Sequence, residues 1–184
     1  MAARCQLYLA APALLPSDFP ATLAAVLDAA PIACLRLPAL PELGELVRFA
    51  QARDIAVLLD GNAELAQRLG ADGVHLADGA EYGPARRLLG DQAIVGVHCG
   101  ASRHSAMLAA DAGADYVAVN ADLELVAWWA EVMIVPVVAD LDGDFARAAE
   151  FAAAGAEFIL LGAALFDDPA GAAAAAATVA AAIA

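Results

Sequence analysis

A seven-residue stretch, Gly70-Ala71-Asp72-Gly73-Val74-His75-Leu76, returns as Gly113-Ala114-Asp115-Tyr116-Val117-Ala118-Val119 and again as Gly155-Ala156-Glu157-Phe158-Ile159-Leu160-Leu161. The copies begin 43 and 42 residues apart. Each copy reads the same way. A helix ends at a glycine, which takes the left-handed cap conformation without a Cβ clash. Two residues turn the corner and a short apolar strand follows. Leu27 to Leu35 lies about one interval earlier and ends in a similar strand, Ile32-Ala33-Cys34-Leu35. The interval is too long for one strand–helix unit and fits two, so the copies mark alternate strands of a repeated α/β architecture.

Around these copies the chain predicts strands at Cys5–Leu9, Ile32–Leu37, Ile55–Leu59, Gly73–Leu76, Ile94–Val97, Tyr116–Val119, Ile134–Ala139 and Phe158–Leu161. Helix starts fall at Ser17 or Asp18, Pro41, Ala63, Pro84, Ser102, Asp122, Asp144 and near Pro169, several of them residues that cap or open helices. Eight strands alternate with eight helices and no element is left over. The expected fold is a small α/β protein of the (β/α)8 TIM-barrel kind, one domain spanning residues 1–184. Such barrels usually need about 250 residues. Periodicity does not close a sheet, so an open doubly wound sheet stands as the alternative. In a closed barrel Val74, Val117 and Ile159 take equivalent places.

Hydrophobic residues make up 62% of the chain, enough for a sizeable core, and much of that is alanine, which makes slim, close-packed helices. The formal charge is −14, from nine basic and 23 acidic residues. Nucleic acid and anionic membrane surfaces are poor partners for such a field. Every basic residue is arginine, which excludes lysine Schiff-base chemistry and with it PLP enzymes. Cys5, Cys34 and Cys99 form no Cys-x-x-Cys pair, so zinc and thioredoxin-type chemistry lack their motif. Cys5 and Cys34 are expected to be small core residues, and the compartment reads as reducing and cytoplasmic. Cys5 to Leu15 is not read as a signal segment, because Pro12 and Pro16 interrupt it and no clear cleavage site follows. The alanine-rich tail from Ala170 to Ala184 is too short and too weakly apolar to span a bilayer.

Further motifs appear in order: Leu7-Tyr8-Leu9, Leu35-Arg36, the Gly70–Leu76 stretch, Gly113–Val117, Val135-Pro136-Val137-Val138-Ala139, and Gly155 through Leu165-Phe166 to Asp168-Pro169. With them the chain resembles the thiamine-phosphate synthase family, which includes the thiazole tautomerases. That family joins an aminopyrimidine diphosphate to a thiazole phosphate and uses magnesium, so the resemblance implies Mg2+ and a heterocyclic phosphate ligand. The departures lie at the functional positions. In the strand-two motif only Arg36 survives. The family's magnesium-binding aspartate falls on Gly61, and its second metal carboxylate is displaced or lost in Ala77-Asp78-Gly79-Ala80, so no metal ligand is assigned. The long phosphate-contacting loop after strand six is missing, Asn120-Ala121 stands where the tautomerases carry a histidine, and Leu141-Asp142 replaces the phosphate-binding glycine pair. One phosphate-binding feature persists, the backbone at Gly162-Ala163-Ala164.

Residues at strand C-termini form the mouth of such a barrel. Here they are Arg36, Asp60, Asp78, His98, Asn120, Asp140 and Asp142, with Gly162 and Ala163 beside them. His98 is the one histidine in a credible chemical position. His75 is expected to be buried and hydrogen-bonded, and His104 to lie on the surface. Of the adjacent Trp128 and Trp129, one is expected inside and the other outside. The mouth admits two readings, a solvated rim that has lost its chemistry or a cation or amine site built from carboxylates and one histidine. The abundance of acid throughout the chain favours the first. Two functions follow: a diverged thiamine-phosphate synthase-type transferase acting on a small heterocyclic phosphate, or a non-catalytic barrel that binds a ligand or a partner. A homodimer is left open. Free phosphate is expected to bind no tighter than millimolar, because carboxylates surround the one surviving anion-binding feature.

Overall fold

A computed structural model describes residues 5–141 and 143–184. Its strands are β1 (Gln6–Ala10), β2 (Ile32–Leu37), β3 (Ala56–Asp60), β4 (Gly73–Leu76), β5 (Ile94–His98), β6 (Tyr116–Asn120), β7 (Val137–Asp140) and β8 (Phe158–Leu161). The helices are α1 (Phe19–Ala29), α2 (Gly44–Gln51), α3 (Ala63–Leu69), α4 (Tyr82–Leu89), α5 (Arg103–Ala112), α6 (Leu123–Val132), α7 (Ala148–Ala153) and α8 (Ala172–Ala182). All strand pairs are parallel, each strand beside the next, and β8 pairs with β1 to close the barrel. The open-sheet alternative is thereby excluded.

Two apolar layers separate cleanly, as the period-2 alternation of a strand requires. Tyr8, Ala10, Cys34, Leu58, Tyr116, Ala118, Val138 and Leu160 fill the barrel interior. Val74, Val117 and Ile159 belong to the larger layer between the sheet and the helices, all fully buried, so the repeat does place them equivalently. Helix α8 packs mainly against α1, which ties the last unit of the chain to the first.

The repeat has a second function that periodicity does not show. Gly70, Gly113 and Gly155 take φ of 70°, 101° and 101°, which caps the preceding helices as expected. The acidic residue two positions later reaches across to the neighbouring strand. Asp72 accepts from the Val57 N–H at 2.7 Å, Asp115 from the Val95 N–H at 2.7 Å and Glu157 from the Val137 N–H at 2.9 Å. The same three residues donate their own N–H to the carbonyls of Val57, Val95 and Val137. Each odd-numbered strand from β3 to β7 is thus clipped by the turn that opens its even-numbered neighbour. Asp72→Ala should leave the amide of fully buried Val57 without its acceptor, costing about 1–3 kcal/mol in urea unfolding.

Strand β7 begins later than its apolar run suggests. Ile134 is 98% exposed, and the Val135 carbonyl accepts from the Trp129 indole rather than from the ladder. Pro136 has no N–H to give, so only its carbonyl meets β6, accepting from the Val117 N–H at 3.0 Å, and the strand proper begins at Val137. Trp129 is buried, whereas Trp128 is half-buried under the Arg103 guanidinium, which divides the pair as expected.

Candidate active site

Barrel closure brings the carboxyl ends of all eight strands to one face. There Arg36, Asp60, Gly61, His75, Ala77, His98 and Asp140 line a cavity of about 440 Å3. Strand alternation explains the set. Cys34 and Leu58 lie in the barrel interior, so Arg36 and Asp60, two residues further on, point the same way at the top of β2 and β3. Arg36 Nε lies 3.2 Å from Asp60 Oδ1. The angle is wrong for a hydrogen bond, however, and this buried nitrogen has no hydrogen-bond partner. Arg36 is therefore a cation held by proximity and still able to donate. Burial pushes the Asp60 carboxyl above the usual carboxylate range, and Arg36 pulls it back only in part.

Four of the residues read from strand ends, Arg36, Asp60, His98 and Asp140, meet at this cavity. Others lie apart from it. Asp78 is exposed and accepts from the Ala80 N–H at 2.8 Å, capping the short turn Gly79–Glu81. Asn120 is exposed at the end of β6. Gly162 and Ala163 lead into the short turn Ala163–Phe166, with open space over Gly162. Gly143, at φ 87°, brings the β7 turn against Ala164. Leu141 is 2% exposed and packs into the outer core, so it does not present to the mouth. Asp142 lies outside the described residues.

His75 is the residue that strand-end reasoning left out of the site. It is 4% exposed, as expected of a buried histidine, yet its ring lines the cavity and lies 6.2 Å from that of His98, centroid to centroid. Its Nδ1 lies 2.8 Å from the Tyr116 hydroxyl, which lies 2.8 Å from the Tyr8 hydroxyl. The alternation that puts Val74 and Leu76 in the outer layer, and so His75 on the inner face near the strand end, was the available signal. Burial, reinforced by Arg36 and His98, pushes its imidazolium down to about 3. His104 is exposed on α5. Cys34 is buried, its thiol pushed up to about 12 by burial, and Cys99 is buried with its thiol pushed up to about 11, so neither is a thiolate nucleophile. Cys5 is only half-buried.

The described residues hold no preformed cage for the magnesium that the resemblance implies. Among the described residues no three His, Cys, Asp or Glu side chains group so as to hold an ion. Asp60 is instead beside a guanidinium, and Gly61 brings no carboxylate. No helix among the described residues is long and apolar enough to cross a membrane.

Fold and mouth together define a class, the small (β/α)8 barrels with a charged cavity at the carboxyl ends of their strands. Residues 38–165 match the family model described as thiamine monophosphate synthase. The chain is 43% identical to the thiamine-phosphate synthase of Rhodospirillum centenum over 190 residues, covering 91% of this chain and 92% of the relative. It is 36% identical to that of Hyphomonas neptunium, covering 92% and 90%. Among solved structures, the thiamine phosphate pyrophosphorylase of Pyrococcus furiosus superposes with a TM-score of 0.83 at 19% identity, covering 98% of this chain and 96% of that one. The chain belongs to the thiamine monophosphate synthase family.

Proposed function

We propose that this protein is a diverged thiamine-phosphate synthase, one domain over residues 1–184, whose mouth still binds a small heterocyclic phosphate but couples it slowly. Its relatives' names support the substrate class. The observation that carries the divergence is the mouth itself: Arg36 sits against Asp60, with Asp140 at the same cavity. The carboxylates stand where a phosphate dianion would approach, and among the described residues no group of three His, Cys, Asp or Glu side chains could hold an offsetting cation. What this chain retains is positioning. Arg36 can hold an anionic group, and His75 and His98 flank it.

Purified protein assayed with the aminopyrimidine diphosphate, thiazole phosphate and added magnesium should turn over orders of magnitude more slowly than an ordinary enzyme. Coupling at about 1 s⁻¹ or faster would overturn the divergence and leave an ordinary synthase. Slow coupling with measurable thiazole phosphate binding supports it.

A further inference from the structure

A hydrogen-bonded chain of three buried side chains runs through the barrel to the mouth, and the reading above makes no use of it. Tyr8 on β1, Tyr116 on β6 and His75 on β4 are 2%, 6% and 4% exposed. Tyr116 Oη sits between the other two, 2.8 Å from Tyr8 Oη and 2.8 Å from His75 Nδ1. The Tyr8 and Tyr116 rings meet edge to face at 5.8 Å, and His75 stacks near-parallel on Tyr116 at 5.8 Å. Gly96 makes this possible, because a Cβ there would overlap the Tyr116 ring. The rest of the surroundings are Cys34 and Arg36 from β2, Asp60 from β3, His98 from β5 and Asp140 from β7.

A neutral imidazole carries one proton, and the nitrogen that holds it is set by the partner of the other nitrogen. Two arrangements satisfy the two short contacts and also use the Tyr116 proton, which a third, with Tyr116 accepting from both neighbours, would leave without a partner. In one, Tyr8 donates to Tyr116, Tyr116 donates to Nδ1, and the proton of His75 is on Nε2. In the other, Nδ1–H donates to Tyr116, Tyr116 donates to Tyr8, and the Tyr8 hydroxyl must find another acceptor. Its neighbour at that end is the Cys34 thiol, a weak acceptor. The first arrangement joins the better donor, a phenol, to the better acceptor, an imidazole nitrogen. It also runs head to tail, so each bond polarises the next. No described residue hydrogen-bonds to Nε2, and the ring lines the mouth cavity.

We propose that Tyr116, anchored by Tyr8, is a positioning residue that holds His75 in the Nε2–H tautomer, so that the mouth presents a neutral hydrogen-bond donor beside the Arg36 cation. The use made of that donor rests on the ligand-binding reading above. The tautomer itself is a property of the free protein, and the two are tested separately.

Long-range proton–nitrogen correlation spectra of the nitrogen-15-labelled protein at pH 7 read the tautomer directly. His98→Gln and His104→Gln spectra assign the three histidines. His75 Nδ1 should resonate as an unprotonated, pyridine-like nitrogen and Nε2 as a protonated, pyrrole-like one. In Tyr116→Phe the two resonances should move toward exchange-averaged values, and binding of thiazole phosphate should weaken about tenfold. A wild-type spectrum with the proton on Nδ1 overturns the proposal whatever the protein binds. So does a Tyr116→Phe spectrum unchanged from wild type. The expected spectra without any thiazole phosphate binding would support the positioning role and remove the ligand reading.

Discussion

Gly96→Ala should cost the barrel about 3–5 kcal/mol, from overpacking and from broken buried hydrogen bonds. The new methyl would overlap the Tyr116 ring, which is buried and tied at its hydroxyl to both Tyr8 and His75. The ring packs with Ala118, Val138 and Leu160 and lines a cavity of about 340 Å3 shared with Tyr8, Cys34 and Leu58, so it yields to the methyl only by leaving its hydroxyl partners. Moving it breaks two hydrogen bonds at once and leaves buried phenol hydroxyls without their partners. For a chain of this length each kcal/mol is worth about 2–4 °C in Tm, so the melting point should fall by about 6–20 °C. The control is the double change Gly96→Ala with Tyr116→Leu, which shortens the obstructing side chain. If the clash is the cause, the double variant should recover part of the loss, a coupling visible in a double-mutant cycle. Additive losses in the cycle would place the damage in the β5 backbone instead.

The alternating strand–helix units were legible, though not the closure that joins β8 to β1, because each repeat carries three independent signals in one short stretch. Gly113 ends a helix, Asp115 turns the chain, and Tyr116 to Val119 pack as a strand. The acid's role in clipping the preceding strand was not legible, since nothing local distinguishes a turn carboxylate that points to water from one that reaches Val95. At the mouth, strand ends identified Arg36, Asp60, His98 and Asp140, because alternation fixes which side a residue faces. It did not identify Asp78 or Asn120 as peripheral. Asp78 lies two residues beyond β4, where the chain has left the strand and its carboxylate closes a turn. Tyr116 and Tyr8 are 108 residues apart, and no periodicity pairs their hydroxyls. His75 was correctly read as buried and hydrogen-bonded. That it also lines the cavity depends on how small its neighbours are, and Gly96 acquires meaning only once the Tyr116 ring is seen above it. Strand β7 begins later than its apolar run suggests: Ile134 and Val135 are as apolar as a strand, while Pro136 lacks the N–H that would carry the ladder back through them.

Arg36 and Asp60 carry the prediction that bears most directly on the mouth. Arg36→Met should weaken binding of inorganic pyrophosphate about 10–100-fold, the worth of a charge-assisted contact. Asp60→Asn should strengthen it, because the carboxylate both repels the anion and occupies the guanidinium at 3.2 Å. Since Asp60 holds its proton to a higher pH than an ordinary carboxylate, lowering the pH through that raised value should improve anion binding by the wild type and leave Asp60→Asn unaffected. Stability runs the other way for His75. Its folded value of about 3 lies below the unfolded 6.5, so its contribution is complete above 6.5 and is lost as pH falls toward 3. Asp60, raised on folding, binds its proton more tightly in the folded state, so its contribution grows as pH falls through the same region. The two oppose each other, and His75, the more deeply buried of the pair, should dominate. Urea unfolding at pH 7 and pH 4.5 should therefore show acid destabilisation that shrinks in His75→Gln and deepens in Asp60→Asn. Pyrophosphate titrations by calorimetry complete the test: equal affinities for Arg36→Met and wild type would place the anion elsewhere on the barrel.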